Sequence, residues 1–134
     1  MGQETKLGGP MNISRCMYSA YGRCALCVFH MAPIRTCVLG VGLAGLTFHI
    51  PFILALPELF TLTAVLERNP SSPGGKLQDR FGFSVRIHRT LHSVLDDPDI
   101  DLIVVGTPNA THYEFAKSAL LAGKHGAWNY LAEM

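Results

Sequence analysis

The run Val38-Leu39-Gly40-Val41-Gly42-Leu43-Ala44-Gly45 constrains this chain more than any other segment, because it sets a G-x-G-x-x-G turn directly behind the apolar segment Ile34 to Leu39. A strand that ends in such a turn and opens into a helix presents backbone N–H groups and the positive end of the helix dipole at one point. That arrangement suits a pyrophosphate. The three glycines serve different ends. Gly40 allows the tight turn, Gly42 lets the backbone approach the phosphates, and Gly45 lets the helix pack closely on the strand. Glycines reach this spacing by chance in many chains, so the surroundings decide.

At 134 residues the chain has room for one domain, and 11 Lys and Arg against 10 Asp and Glu leave it without the basic field that nucleic-acid binding needs. The longest apolar stretch, Ile50 to Pro57, is far short of the roughly 20 residues of a membrane-spanning helix. A soluble, cytoplasmic protein with neither nucleic acid nor membrane as a partner is expected. Residues 1–30 carry Gly8-Gly9-Pro10, no clear period and, at Met31-Ala32-Pro33, a second start; they read as an irregular extension. Their lack of a continuous apolar run argues against export. Lys6, Arg15 and Arg23 against a single Glu4 keep a mitochondrial presequence as the alternative, opposed by the helix-breaking Gly8, Gly9 and Pro10.

Cys24-Ala25-Leu26-Cys27, with Cys16 and His30 nearby, has the spacing of a metal or redox pair. It lacks the strand-to-helix context of a redox motif and the second ligand pair of a zinc site, so these cysteines read as incidental and no metal site is expected. Cys37 falls inside the first apolar run and reads as a small buried residue.

From Ile34 onward, short β-like runs alternate with helical stretches, the pattern of a parallel sheet covered by helices. Strands are expected at Ile34 to Leu39, Thr61 to Leu66, Val85 to His88 and Leu102 to Val105. Pro51 predicts a break in the first helix; Ser72-Pro73 opens the next and Gly82 ends it; Thr90 caps a short one that stops at Asp97-Pro98. Thr111-His112-Tyr113-Glu114 reads as a capping box for the last helix, with Ala116, Ala119, Leu120 and Ala122 as apolar positions and Gly123 as its end.

This context supports the glycine turn. Ile34 to Leu66 makes a strand, turn, helix and strand of about thirty residues, and Glu67 closes the second strand about twenty residues after Gly45. A carboxylate there accepts both hydroxyls of an adenosine ribose and repels a 2′-phosphate, which prefers NAD over NADP. Arg68 beside it could instead stack on adenine or pair with that phosphate, and the two residues could also be a solvated strand end.

The fourth strand runs into Gly106-Thr107-Pro108-Asn109-Ala110-Thr111-His112, a loop at a carboxyl strand end where open α/β sheets bind ligands. Together with the glycine run, Thr47-Phe48-His49, Asp101 to Val105 and Ala122-Gly123-Lys124-His125, this order and spacing resembles the Gfo/Idh/MocA oxidoreductases over about Pro33 to His125. The resemblance implies an α/β fold with a Rossmann-like, mostly parallel, doubly wound sheet at residues 31–125, incomplete on its C-terminal side, and in the family a following substrate domain. It implies pyrophosphate contact at Gly42, Leu43 and Ala44, ribose contact at Glu67 or Arg68, and a nicotinamide side flanked by Thr107, Pro108, Asn109 and His112. Thr111 reads as a cap, and His30, His49, His88 and His92 as structural.

The family pattern then continues through another strand to a Glu-Lys-Pro motif whose lysine assists proton transfer. Here residues 126–134 read Gly-Ala-Trp-Asn-Tyr-Leu-Ala-Glu-Met, a divergent tail without that motif, and Lys124 cannot take its place. A truncated chain is expected, with no catalytic residue and an uncovered edge at the fourth strand, open to self-association unless Trp128 to Leu131 folds back over it. Three functions stay open: the NAD(P)-binding part of an oxidoreductase for sugar-like or polyol-like substrates, a non-catalytic nucleotide-binding module, or a fragment without function.

Overall fold

The computed structural model describes residues 32–128. The extension and its cysteines, with His30, lie outside the described residues. Five strands form one all-parallel sheet in the order β3-β2-β1-β4-β5: β1 (Ile34–Leu39), β2 (Phe60–Leu66), β3 (Arg86–His88), β4 (Leu102–Val105) and β5 (His125–Trp128). The helices are α1 (Ile50–Ala55), α2 (Gly75–Phe81), α3 (Leu91–Leu95) and α4 (His112–Leu121), with a π-helical turn at Gly45–His49 and a 3-10 turn at Asn109–Thr111. The result is a doubly wound α/β sheet, as the alternating pattern implies.

Alternate residues of the central strands feed two cores, one on each face. Cys37, Leu39, Ala64, Leu66, Ile103 and Val105 pack with Val94 of α3 and Ala119 of α4. Val38, Leu62, Val65 and Val104 pack with Ile50 and Ile53 of α1 and Leu77 of α2. Leu62 and Val65 share a face despite their odd spacing because the register slips by one residue at Thr63, between the pairs Thr36 with Leu62 and Cys37 with Ala64. Burying a side chain the size of Leu39, Ile50 or Leu77 contributes about 1.5–3 kcal/mol, so the two layers hold the sheet from both sides. Cys37 is buried as expected, and loss of water pushes its thiol up to about 12.

Three local expectations are corrected. Pro51 does not break the first helix: the preceding turn widens to a π-helix, with the Ile50 N–H donating to the Gly45 carbonyl, and the chain runs helically from 43 to 55. The wider turn accommodates a residue that cannot donate to the carbonyl four positions back. Ser72-Pro73 does not open α2, whose N-cap is Gly74. In α4, Leu120 and Ala122 are exposed, and the inner face is Phe115, Ala116 and Ala119. Gly82 and Gly123 follow α2 and α4 as expected, and the Thr90 hydroxyl accepts from the Ser93 N–H to cap α3.

From the sequence, Gly126 begins a divergent tail beside an unpaired fourth strand. In the structure, His125 to Trp128 pairs in parallel with Leu102 to Val105, so β4 is an inner strand and β5 the edge. His-Gly-Ala-Trp contains no β-branched residue, and its strand state comes from its neighbour and not from propensity. No helix among the described residues is long and apolar enough to cross a membrane.

Candidate functional site

The winding of the sheet reverses between β1 and β4, which opens a crevice at their carboxyl ends. The ladder continues past the strands and ties the three exit turns together. Glu67 N–H donates to the His88 carbonyl at 2.9 Å, Gly40 N–H to Leu66 at 3.1 Å and Gly106 N–H to Leu39 at 2.9 Å. A cleft of about 400 Å³ lies over these turns, walled by Gly40, Val41, Gly42, Glu67, Arg68 and Thr107, with Lys76, Pro108, Thr111 and Phe115 around them.

The glycine turn is built by packing constraints. Gly40 has φ +92°, a left-handed conformation, and a Cβ there would sit 3.0 Å from the Thr107 Cγ2 and 3.1 Å from the Gly106 carbonyl oxygen. A Cβ at Gly45 would collide with the Gly40 carbonyl oxygen, so helix and strand meet only because position 45 is bare. At Gly42, on the cleft wall, a Cβ would meet no atom of the described residues within 4 Å, so the space beside it is open. The first helical bond runs from Leu46 N–H to the Gly42 carbonyl, leaving the N–H groups of Leu43, Ala44 and Gly45 ahead of it. The Leu43 side chain is exposed and neither it nor Ala44 walls the cleft, so what these two offer is main chain.

Glu67 is 5% exposed although it ends a strand. Its Oε2 accepts from the Lys76 N–H at 3.1 Å, in the first turn of α2, where the helix dipole favours an anion. Its Oε1 is buried without a hydrogen-bond partner among the described residues. An unpaired buried carboxylate oxygen is costly, and a hydroxyl donor arriving in the cleft would satisfy it. Arg68 and Lys76 are exposed at the same wall and make no ion pair among the described residues, so cationic charge stands beside the carboxylate.

On the far wall, Thr107 and Pro108 line the cleft, whereas Asn109 and His112 do not. Asn109 is exposed at the start of the 3-10 turn. His112 Nε2 lies 2.7 Å from the Thr107 carbonyl, a contact in which the ring nitrogen carries the proton and donates. The capping box at Thr111 is corrected: its side chain makes no cap bond, and its Oγ1 lies 2.7 Å from Thr107 Oγ1 and 2.8 Å from the Pro108 carbonyl. His49, read as structural, lies against Gly106, its Cδ2 3.1 Å from where a Cβ would be. Burial, and then the nearby His112, lower its pKa, so it stays neutral at neutral pH.

Lys76 and Phe115 were not legible as cleft residues, because each comes from a helix with no motif of its own; Thr111 lies in the 106–112 loop that the sequence marks, but its capping-box reading hid its place on the cleft wall. Lys124 is elsewhere: its Nζ donates to the Asp97 and Ile100 carbonyls at 2.7 and 2.8 Å, at the amino ends of the strands. Among the described residues no cluster of three or more His, Cys, Asp or Glu side chains could hold a metal.

A parallel sheet in this order, with a glycine turn at its switch point, defines a dinucleotide-binding type of α/β domain. The chain belongs to the oxidoreductase family with an NAD-binding Rossmann fold, Gfo/Idh/MocA, which residues 34–127 match. It is 42% identical over 95 residues to an uncharacterized oxidoreductase of Schizosaccharomyces pombe, covering 71% of this chain and 26% of that one. It is 32% identical over 92 residues to the scyllo-inositol 2-dehydrogenase (NADP(+)) IolW of Bacillus subtilis, covering 69% and 24%. Among solved structures it is similar to KijD10, a 3-ketoreductase from Actinomadura kijaniata in complex with NADP and TDP-benzene. The TM-score is 0.65, with 28% identity over 74% of this chain and 29% of that one. The chain thus spans about a quarter of the length of the curated relatives it matches.

Proposed function

We propose that this chain binds NAD or NADP at the carboxyl end of its sheet, as the cofactor half of an oxidoreductase acting on sugar-like or polyol-like substrates. The observation that carries the reading is Glu67 Oε1, a buried, unpartnered acceptor on the wall of the same cleft as the glycine turn. In this reading the N–H groups of Gly42, Leu43 and Ala44 hold the pyrophosphate, and Gly40 and Gly45 keep that turn tight against the strand and helix. Glu67 accepts from the adenosine ribose, and Arg68 covers the adenine side. Thr107, Pro108, Asn109 and His112 form the nicotinamide side, with His112 acting through the Thr107 carbonyl. When bound, the nicotinamide supplies hydride chemistry; the residues of this chain bind, orient and shield it.

The relatives that act on scyllo-inositol and on a ketone support the substrate class. NAD is preferred, because a buried carboxylate at the ribose disfavours a 2′-phosphate, although Arg68 and Lys76 give NADP a route to the same wall. The Glu-Lys-Pro lysine does not occur in the 134-residue sequence, and no catalytic residue is assigned. A second reading is a nucleotide-binding module without chemistry. Titration with NADH and NADPH separates binding from its absence, and an assay of the same sample with polyols and oxidised cofactor separates the two readings: turnover would exclude the module.

A further inference from the structure

We propose that Ser71 is a phosphorylation site read through Arg68, and that its phosphate shifts the cleft from NADPH towards NADH. The site stands on the loop between β2 and α2; only its effect on the cofactor rests on the dinucleotide reading above. Among all serines and threonines of the sequence, Ser71 is the one with a lysine or arginine three residues before it. A kinase that takes such a serine holds the arginine with carboxylates, the partners that match a guanidinium fork. Arg68 is exposed and makes no ion pair among the described residues. Its neighbour Glu67 does not neutralise it, because that carboxylate is buried and turned to the Lys76 N–H at 3.1 Å.

The structure separates the two adjacent serines. Ser72 is half-buried and tied to α2: its Oγ lies 3.3 Å from the Gly75 carbonyl oxygen and 3.2 Å from Asp79 Oδ1, and its own carbonyl accepts the Gly75 N–H at 3.0 Å. Ser71 is exposed, and its hydroxyl has no hydrogen-bond partner among the described residues. Residues 69–71 belong to no helix or strand and make no main-chain hydrogen bond to either, so a kinase can draw them out without breaking the sheet. In the transfer, Ser71 Oγ attacks the γ-phosphorus of ATP, the bond to the ADP oxygen breaks, and the hydroxyl proton passes to the kinase's catalytic carboxylate. The product carries nearly two negative charges. They stand in the loop that joins Arg68 and Asn69 to Lys76, three residues of the cleft wall. A phosphate there pairs with the cations that NADP would use for its 2′-phosphate and repels that group, which NADH lacks.

The test uses the full chain, ATP and a calmodulin-dependent protein kinase that requires arginine at that place, with the phosphate located by mass spectrometry and folding followed by thermal melting. The expected product carries its phosphate on Ser71; Ser71→Ala should take none, and Ser72→Ala should be modified as the unaltered chain is. Arg68→Gln should slow the transfer at least about tenfold, the effect of a lost hydrogen bond to a charged group. Bound NADPH should slow it too, since Arg68 is then engaged. In calorimetric titration the phosphorylated chain is expected to bind NADPH at least about fivefold more weakly, the low end of coupling between sites, with NADH changed less. No phosphate on Ser71 of a folded chain, modification only after heat denaturation, or equal rates for Arg68→Gln and the unaltered chain would overturn the site. Equal losses for the two cofactors would overturn its effect on cofactor choice. A folded chain that takes the phosphate on Ser71 yet binds neither cofactor before or after would support the site and overturn the dinucleotide reading.

Discussion

Glu67 and the glycines divide the work of the cleft between chemistry and shape. Glu67→Ala removes the one buried side-chain acceptor left open among the described residues, and the cost of losing a hydrogen bond to a charged group predicts at least about tenfold weaker NADH binding. NADPH should lose less, because the repelling carboxylate goes as well; titrations with both cofactors check the difference. Gly45→Ala acts on the fold instead, since its Cβ meets the Gly40 carbonyl oxygen, and about 1–3 kcal/mol of overpacking should lower the urea unfolding midpoint. The parts that Gly40 and Gly45 play in the turn were legible in the sequence, because a left-handed turn and a close helix–strand approach both call for glycine at that spacing. The parts played by Lys76 and His49 were not, because their partners Glu67 and Gly106 come from other elements of the fold, and the capping-box reading hid the contact of Thr111 with Thr107 in its own loop.

Among the elements, the amino ends of the strands carry an ionic network that the cleft does not use. Arg35 at the start of β1 makes a two-bond pair with Asp101, at 2.8 and 2.7 Å, just before β4. Arg86 of β3 pairs with Asp97 and Asp99, and His88 Nε2 meets Asp97 at 2.9 Å. Burial would raise the Asp97 carboxyl, but the bonds from Arg86, the Asp99 N–H and His88 overcome it and hold it at about 2; the Arg35 bonds hold Asp101 at about 2 as well. Both titrate at 3.8 when unconstrained, so between about pH 4 and 2 the unfolded chain binds more protons than the folded one. The stability that these two carboxylates contribute is therefore present above about pH 4 and is lost as the pH drops through that window. Denaturation curves across it should show the decline, and Asp97→Asn should flatten it. Sequence patterning located β1, β2, β3 and β4 through their Val, Ile, Leu and Thr content, whereas β5 exists by pairing with β4 and left no such trace.

For the whole molecule, the outer edge of β5 has no paired strand among the described residues, and Trp128 is 41% exposed on it. A near-neutral chain with such an edge is expected to associate as concentration rises, and Ala127→Lys should suppress this in sedimentation. The central claim is that the cleft over the glycine turn takes a dinucleotide, and Gly42 offers the most direct test. A Cβ at 42 meets no atom of the described residues within 4 Å, so Gly42→Val should leave the unfolding midpoint in place while blocking the space a pyrophosphate needs. In calorimetric titration with NADH, the unaltered chain should show saturable one-site binding, and Gly42→Val should reduce it beyond detection. No binding heat from an unaltered chain that melts cooperatively, or equal binding by the two, would contradict the account.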